Sequence, residues 1–132
     1  MLLGADTNFL IDVIKKEKSE LDLWSAIENK QHELIISSIT IGELALVSYR
    51  KGVPWKIDVA IGLLKSIPNI KIIAPDENVS ILAAKYKHSF NLSFVDSLIL
   101  ATCVKEGCKK FITKDKDFRQ VNVVEITEAK DI

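Results

Sequence analysis

Short runs of β-forming residues alternate with longer stretches of helical periodicity along the whole chain. In the helical stretches apolar residues recur every three or four positions, as Leu21, Trp24 and Ile27 do. Strands separated by helices pair in parallel, because each crossover helix returns the chain to the same end of the sheet. We therefore predict a three-layer α/β/α sandwich around a mainly parallel five-stranded sheet.

Local signals set the boundaries of these elements. Pro54 is typical of a first helical turn, Asp76 and Ser93 are candidate N-caps, and Gly52 and Gly107 are typical of helix ends. The predicted strands cover residues 2–5, 33–38, 70–74, 110–113 and 122–126. The predicted helices cover residues 7–16, 21–30, 39–52, 54–67, 77–90 and 94–106.

Length, charge and cysteine content limit the classes of protein. A chain of 132 residues fits one globular domain, residues 1–132. Lys+Arg 18 balances Asp+Glu 18, so any nucleic acid must be bound by a local patch and not by a global positive field. Cys103 and Cys108 lack disulfide or metal-site spacing, which favours reduced thiols in a cytoplasmic protein. Neither a signal peptide nor a membrane span is predicted.

Four separate segments of the chain each place an acidic side chain at the carboxyl edge of the predicted sheet. Asp6 follows the first strand, and Asp115 follows the strand that ends at Thr113. Glu43 lies near the start of the helix after the second strand, and Asp96 lies in the first turn of the most apolar helix. Ligand sites of open α/β sheets lie at this edge, so the four carboxylates define the candidate site.

Each acid alone has a simpler explanation. Asp96 could be a charge favoured by the helix dipole, Glu43 a solvated surface residue, and Asp6 an N-cap. Asp115 and Asp117 alone would most often be turn residues. Gathered together, however, like charges destabilise a fold unless a cation offsets their repulsion.

Oxygen ligands without imidazole or thiolate select Mg²⁺ or Mn²⁺ over zinc or copper. Mg²⁺ takes one or two carboxylates directly, keeps several waters and binds substrate phosphate oxygens. Such a site suits phosphodiester hydrolysis, in which a metal-activated water attacks in line.

The same stretches carry a resemblance to a known family. Each motif is loose alone, but their order and spacing between residue 3 and about residue 126 make the set fairly specific. The chain resembles the PIN-domain ribonucleases and is similar to the toxin components of VapBC-type toxin–antitoxin pairs. The matching stretches are "ADTNFLID", "SSITIGEL", "FVDSLILATCVKEG" and "FITKDKDF".

The resemblance implies cleavage of single-stranded RNA with Mg²⁺ or Mn²⁺, frequent homodimers and an antitoxin partner. It also assigns roles to residues. The implied catalytic acids are Asp6, Glu43, Asp96 and Asp115. The implied metal ligands are Asp6, Asp96, Asp115 and Asp117, and the implied supporting polar residues are Thr7, Asn8 and Thr113.

Basic and apolar residues outside the acidic set indicate where partners bind. The candidate RNA contacts flank the acids, although solvated surface charge is the simpler explanation for each: Lys114, Lys116, Arg119 and Arg50.

The middle helices have more apolar residues than one buried stripe requires, so we expect a homodimer through them, with an antitoxin peptide nearby. These residues are Leu46, Val47, Val53, Trp55, Val59, Ile61 and Leu64.

Other phosphoryl-transfer folds fit the sequence less well. A haloacid dehalogenase would have a second aspartate two residues after the first, where this chain has Asn8. A receiver domain would have paired acids after its first strand and a phosphoacceptor aspartate after the third, where the sequence reads "IIAPDE". A PIN-domain nuclease of RNA maturation or decay, and a non-catalytic RNA- or partner-binding module with the same fold, stay open as alternatives.

Overall fold

The computed structural model describes residues 1–132, and its centre is a parallel sheet. The five strands stand in the order β3-β2-β1-β4-β5, and every neighbouring pair is parallel. The chain starts at the middle of the sheet, builds one side with β2 and β3, and then returns to build the other. The strands are β1 (Leu2–Ala5), β2 (Glu33–Ser37), β3 (Ile70–Ile73), β4 (Lys110–Ile112) and β5 (Glu125–Thr127).

Six α-helices connect the strands. The helices are α1 (Thr7–Ile14), α2 (Lys18–Glu28), α3 (Ser38–Arg50), α4 (Lys56–Ser66), α5 (Glu77–Phe90) and α6 (Phe94–Lys105). Two short 3₁₀ helices follow β4 and β5, at Lys116–Gln120 and Ala129–Asp131. No helix is long and apolar enough to cross a membrane.

Alternation along the strands divides the core into two layers. Leu34 and Ile36 point to one face of the sheet, and Ile35 between them points to the other. The first face packs against α1, α2 and α4, and the second against α5 and α6. Helix α3 contributes to both layers, because Leu44 packs with the first and Ile39 with the second. The predicted α/β/α sandwich is therefore confirmed.

The central strand and the most apolar helix approach closely at Gly4. A Cβ atom at this position would lie 2.6 Å from the Cβ and the Sγ of Cys103 on α6. Real Cβ atoms do not make such short contacts, so only glycine lets α6 pack this tightly on β1. Cys103 and Cys108 are both buried free thiols, as expected.

Most element ends differ from the predicted ones by one to three residues; α4, for example, begins at Lys56, so Pro54 precedes the helix and does not open it. Strand β5 begins at Glu125 and not at residue 122, because its partner β4 offers only three residues for pairing. Helix α2 begins at Lys18, before its first apolar residue, where an ion pair between Lys18 and Asp22 joins positions i and i+4. The periodicity of residues 7–16 predicts that Ile14 shares one helical face with Phe9, Leu10 and Val13, but Ile14 is 65% exposed.

Candidate active site

Parallel strands bring the acidic side chains to one edge, as the sequence predicts. Asp6 directly follows β1, and Asp115 lies three residues beyond the end of β4, the strand that pairs with β1. Glu43 is on α3, which follows β2 without a linker, and Asp96 is in the first turn of α6. These four acids line one cleft of about 180 Å³. The cleft is lined by Asp6, Thr7, Asn8, Ile11, Glu43, Leu46, Val47, Arg50, Asp96 and Asp115.

Asp6 has two roles, since it caps α1 and also lines the cleft. Its Oδ1 accepts a hydrogen bond from the backbone N–H of Phe9 at 3.0 Å, and its Oδ2 accepts one from the Thr113 hydroxyl at 2.5 Å. The residue is 5% exposed, and this burial raises the pKa of its carboxyl group to about 6. The two hydrogen bonds act against that increase, while the charges of Asp96 and Asp115 add to it.

Glu43 is oriented by hydroxyl groups from two helices. The Thr7 hydroxyl at the start of α1 donates a hydrogen bond of 2.5 Å to the Glu43 Oε1 atom. The hydroxyl oxygen of Thr40, which is buried on α3, lies 3.3 Å from that of Thr7. Glu43 is therefore held at the cleft wall and is not a freely solvated surface residue.

Asp96 is half-buried at the N-terminus of α6. The Ser93 side chain caps this helix by accepting a hydrogen bond of 3.1 Å from the Asp96 backbone N–H. Burial raises the pKa of the Asp96 carboxyl group, hydrogen bonding between that carboxyl group and the Ser93 side chain lowers it, and the charges of three acids raise it further. Those acids are Asp115, Glu43 and Asp117. Burial is the largest of these causes, and repulsion by the neighbouring acids adds to it.

Thr113 connects the segment after β4 to Asp6. Its hydroxyl donates to Asp6 and accepts a hydrogen bond of 2.9 Å from the backbone N–H of Asp115. Asp115 Oδ1 in turn accepts a hydrogen bond of 2.9 Å from the Asp117 backbone N–H and caps the following 3₁₀ helix. The spacing of the two aspartates thus reflects a short helical cap that keeps both carboxylates beside the cleft.

Three carboxylates have the spacing of a cation site. One ligand oxygen from each of Asp96, Asp115 and Asp117 lies within 4.8 Å of the other two. Mg²⁺ binds oxygen at about 2.1 Å, so two of its ligands stand at most about 4 Å apart, and small side-chain shifts reach that distance. An all-carboxylate donor set fits Mg²⁺ or Mn²⁺. Asp6, the fourth predicted ligand, lies beside this group and not within it.

The basic residues occupy different positions around the cleft. Arg50 lies on its wall, seven residues and about two helical turns after Glu43 on α3. Lys116 and Arg119 line a neighbouring cleft of about 140 Å³ that also includes Asp117. Lys114 instead forms ion pairs with Asp12 at 3.4 Å and Glu20 at 3.3 Å.

Two buried polar residues that contact the site's supporting side chains are not identified by the sequence pattern: Glu20 and Thr40. Glu20 is 2% exposed, although it stands in a polar stretch that resembles a surface helix. Thr40 is also buried, and its position three residues before Glu43 is the only signal in the sequence that could have identified it. Nothing in the local pattern distinguishes Glu20 from the exposed acids around it.

The sheet order, the layers and the acidic cleft define a class of α/β protein with an acidic site at the carboxyl edge of the sheet. The model of the PIN domain family matches residues 5–124, and the chain belongs to this family. No curated protein sequence matches the chain.

Solved structures of toxin–antitoxin systems have the same fold. VapBC2 from Rickettsia felis, bound to a promoter DNA fragment, includes a chain that superposes with a TM-score of 0.78 at 16% identity, covering 97% of this chain and 98% of that chain. FitAcB from Neisseria gonorrhoeae gives a TM-score of 0.73 at 20% identity, with 100% of both chains covered. VapC20 from Mycobacterium tuberculosis, a toxin that cleaves the sarcin–ricin loop, superposes with a TM-score of 0.68 at 17% identity. This match covers 88% of this chain and 92% of that chain.

The repulsion at Asp96 leads to a test of the site by thermal melting. Asp96→Asn removes one charge and keeps the side-chain shape, so the metal-free variant should melt at the same temperature as wild type or higher. A cation at about 100 times its Kd should stabilise wild type by about 2.7 kcal/mol and the variant much less.

Asp58→Asn is the matched control, because Asp58 also lies in the first turn of a helix but belongs neither to the lining of the acidic cleft nor to the carboxylate group. This control should lose a little stability and keep the wild-type response to Mg²⁺ or Mn²⁺. A strongly destabilised Asp96→Asn variant with an intact metal response would make Asp96 a structural cap.

Proposed function

We propose that the protein is a divalent-metal-dependent endoribonuclease that hydrolyses phosphodiester bonds in single-stranded RNA. The observation that carries the proposal is the convergence of Asp6, Glu43, Asp96 and Asp115 in one cleft. Separate elements of the fold supply these acids, and no imidazole or thiolate lines the cleft. Asp6 and Asp115 also cap helices, but capping does not require four acids in one cleft, where their repulsion acts against folding unless a cation binds.

Each acid has a distinct part in this proposal. Asp96, Asp115 and Asp117 would hold Mg²⁺ or Mn²⁺, which when bound activates water and stabilises the leaving oxygen. Asp6 and Glu43, each oriented by a threonine hydroxyl, would present acceptor oxygens to water in the same cleft. Since the side chains are fixed before substrate binds, little reorganisation is needed during the reaction.

RNA is held by local positive charge in this proposal, because the chain has a formal net charge of +0. Arg50 lies in the acidic cleft itself, where its guanidinium can pair with a phosphate adjacent to the acids. Lys116 and Arg119 line the neighbouring cleft together with Asp117 and would bind a further phosphate of the RNA. Asn8, which is exposed at the same cleft, can donate hydrogen bonds to the RNA backbone.

We also propose that the nuclease is the toxin of a toxin–antitoxin pair in the cytoplasm. The similar structures from Rickettsia felis and Neisseria gonorrhoeae come from such systems. An apolar cavity of about 450 Å³ between α1, α3 and α4 suits an apolar segment of an antitoxin. Trp55 and Val59, which line it, are 61% and 69% exposed, so a partner would remove considerable apolar surface from water.

Homodimerisation is part of the same proposal. Leu46 on α3 is 47% exposed at the rim of the acidic cleft, outside the apolar cavity, and a second copy could contact its exposed part. Leu64, however, is 4% exposed and belongs to the core, so it cannot form part of a dimer contact. A nuclease of RNA maturation or decay would share the catalytic site but lack a cognate antitoxin.

Cleavage of RNA is the direct test. Purified protein with Mn²⁺ or Mg²⁺ should cut a generic single-stranded RNA, and EDTA should abolish the activity. Arg50→Gln should raise KM roughly tenfold, because it removes a charged hydrogen-bond donor to phosphate. Lys51→Gln, which changes the neighbouring charge outside the cleft, should leave KM unchanged. Equal cleavage with and without EDTA would exclude metal-dependent chemistry, and no cleavage would favour a non-catalytic binding module.

A further inference from the structure

A buried carboxylate lies behind the acidic cleft and takes no part in it. Glu20, in the first turn of α2, is 2% exposed. Its Oε1 atom accepts hydrogen bonds from the Ser19 hydroxyl at 3.0 Å and from the Lys114 ammonium group at 3.3 Å. Burying a charge is costly unless the charge is paired, so the position of Glu20 depends on Lys114.

Lys114 is held by carboxylates from two helices. Besides Glu20 on α2, it pairs with Asp12 on α1 at 3.4 Å. The hydrogen bond with Glu20 is the main cause of a raised pKa of the Lys114 amine, and Asp12 adds to it. The ammonium group therefore joins the segment after β4 to both helices of the α1–α2 pair.

The ion pairs of Lys114 matter because its two neighbours in the chain form or support the acidic site. Lys114 stands between Thr113, whose hydroxyl binds Asp6, and Asp115, whose backbone N–H binds that hydroxyl. Side chains alternate along an extended segment, so Thr113 contacts Asp6 and Asp115 lines the cleft while Lys114 faces α1 and α2. The Lys114 side chain is 48% exposed, but its two ion pairs link the backbone between Thr113 and Asp115 to both helices.

We propose that Glu20, Lys114 and Asp12 form a positioning device that holds Thr113 and Asp115 in the geometry needed for metal binding and catalysis. The inference rests on the proposed nuclease function. The residues act through the backbone of the 113–115 segment and touch neither metal nor RNA. Outer partners of metal ligands commonly contribute 10- to 100-fold to metal affinity or activity. The same assignment removes Lys114 from the RNA-binding surface.

The experiment measures Mn²⁺ affinity by calorimetry together with kcat and KM on single-stranded RNA. Glu20→Gln and Lys114→Met should each weaken Mn²⁺ binding and lower kcat about tenfold, with KM within twofold of wild type. Lys114→Arg keeps the charge pair and should retain most of the activity. The double variant should be no worse than the poorer single variant, because both changes disrupt one contact.

Lys110→Met is the matched control. It removes the ion pair between Lys110 and Glu125 at 3.3 Å, which lies at the start of β4, at the other end of the strand from the cleft. This variant should keep the wild-type Mn²⁺ affinity and kcat. Melting temperatures of all variants show that each measurement is made on folded protein.

Two results would overturn the positioning role. If Lys114→Met raises KM while Glu20→Gln leaves Mn²⁺ affinity and kcat unchanged, Lys114 is an RNA contact. If melting temperatures fall but Mn²⁺ affinity and kcat do not change, the ion pairs only stabilise the fold. The Mn²⁺ measurement also separates this inference from the proposed function, because it tests the positioning role even if wild type cleaves no RNA.

Discussion

Repulsion among carboxylates in one cleft is the interaction on which the rest of this structure depends. The pKa values of Asp6 and Asp96 are raised, first by burial and further by the charges of neighbouring acids. The fold offsets part of this repulsion with hydroxyl and backbone donors, of which Thr113 supplies the shortest contact to Asp6. The proposed role of the cleft is to bind a cation, which would offset the remaining repulsion among the acids.

The fold keeps this strained arrangement on rigid elements. Parallel pairing of β1 with β2 and β4 fixes three of the acid-bearing segments relative to one another. The fourth, α6, is held against β1 by the close approach at Gly4. Because α1 and α3 also form the apolar cavity, the surface proposed for a partner lies on the same two helices that carry Thr7 and Glu43. Helices α1 and α3 therefore contribute to both the acidic site and the proposed partner surface.

Much of this arrangement could be predicted from the sequence, because the strand ends and the first helical turns have clear local signals. Asp6 and Asp115 follow apolar runs, and these signals place them at one edge of a parallel sheet. The pairing of Lys114 with Glu20 could not be predicted, since it joins residues 94 positions apart through side chains that resemble solvated charges. The exposure of Ile14 could not be predicted either, because periodicity identifies an apolar helix face but not whether a neighbouring element covers it.

The pKa of Asp6 tests the central claim most directly. Carbon-13 NMR of the carboxyl group, in metal-free protein and with saturating Mg²⁺, measures it at the residue itself. The account predicts titration at about 6 without metal and a lower value with Mg²⁺, because a bound cation favours the carboxylate. The pKa is raised in the folded state, so the metal-free protein should also lose stability as the pH rises from about 4 to about 6. An ordinary pKa near 3.8 that does not respond to Mg²⁺ would contradict the account.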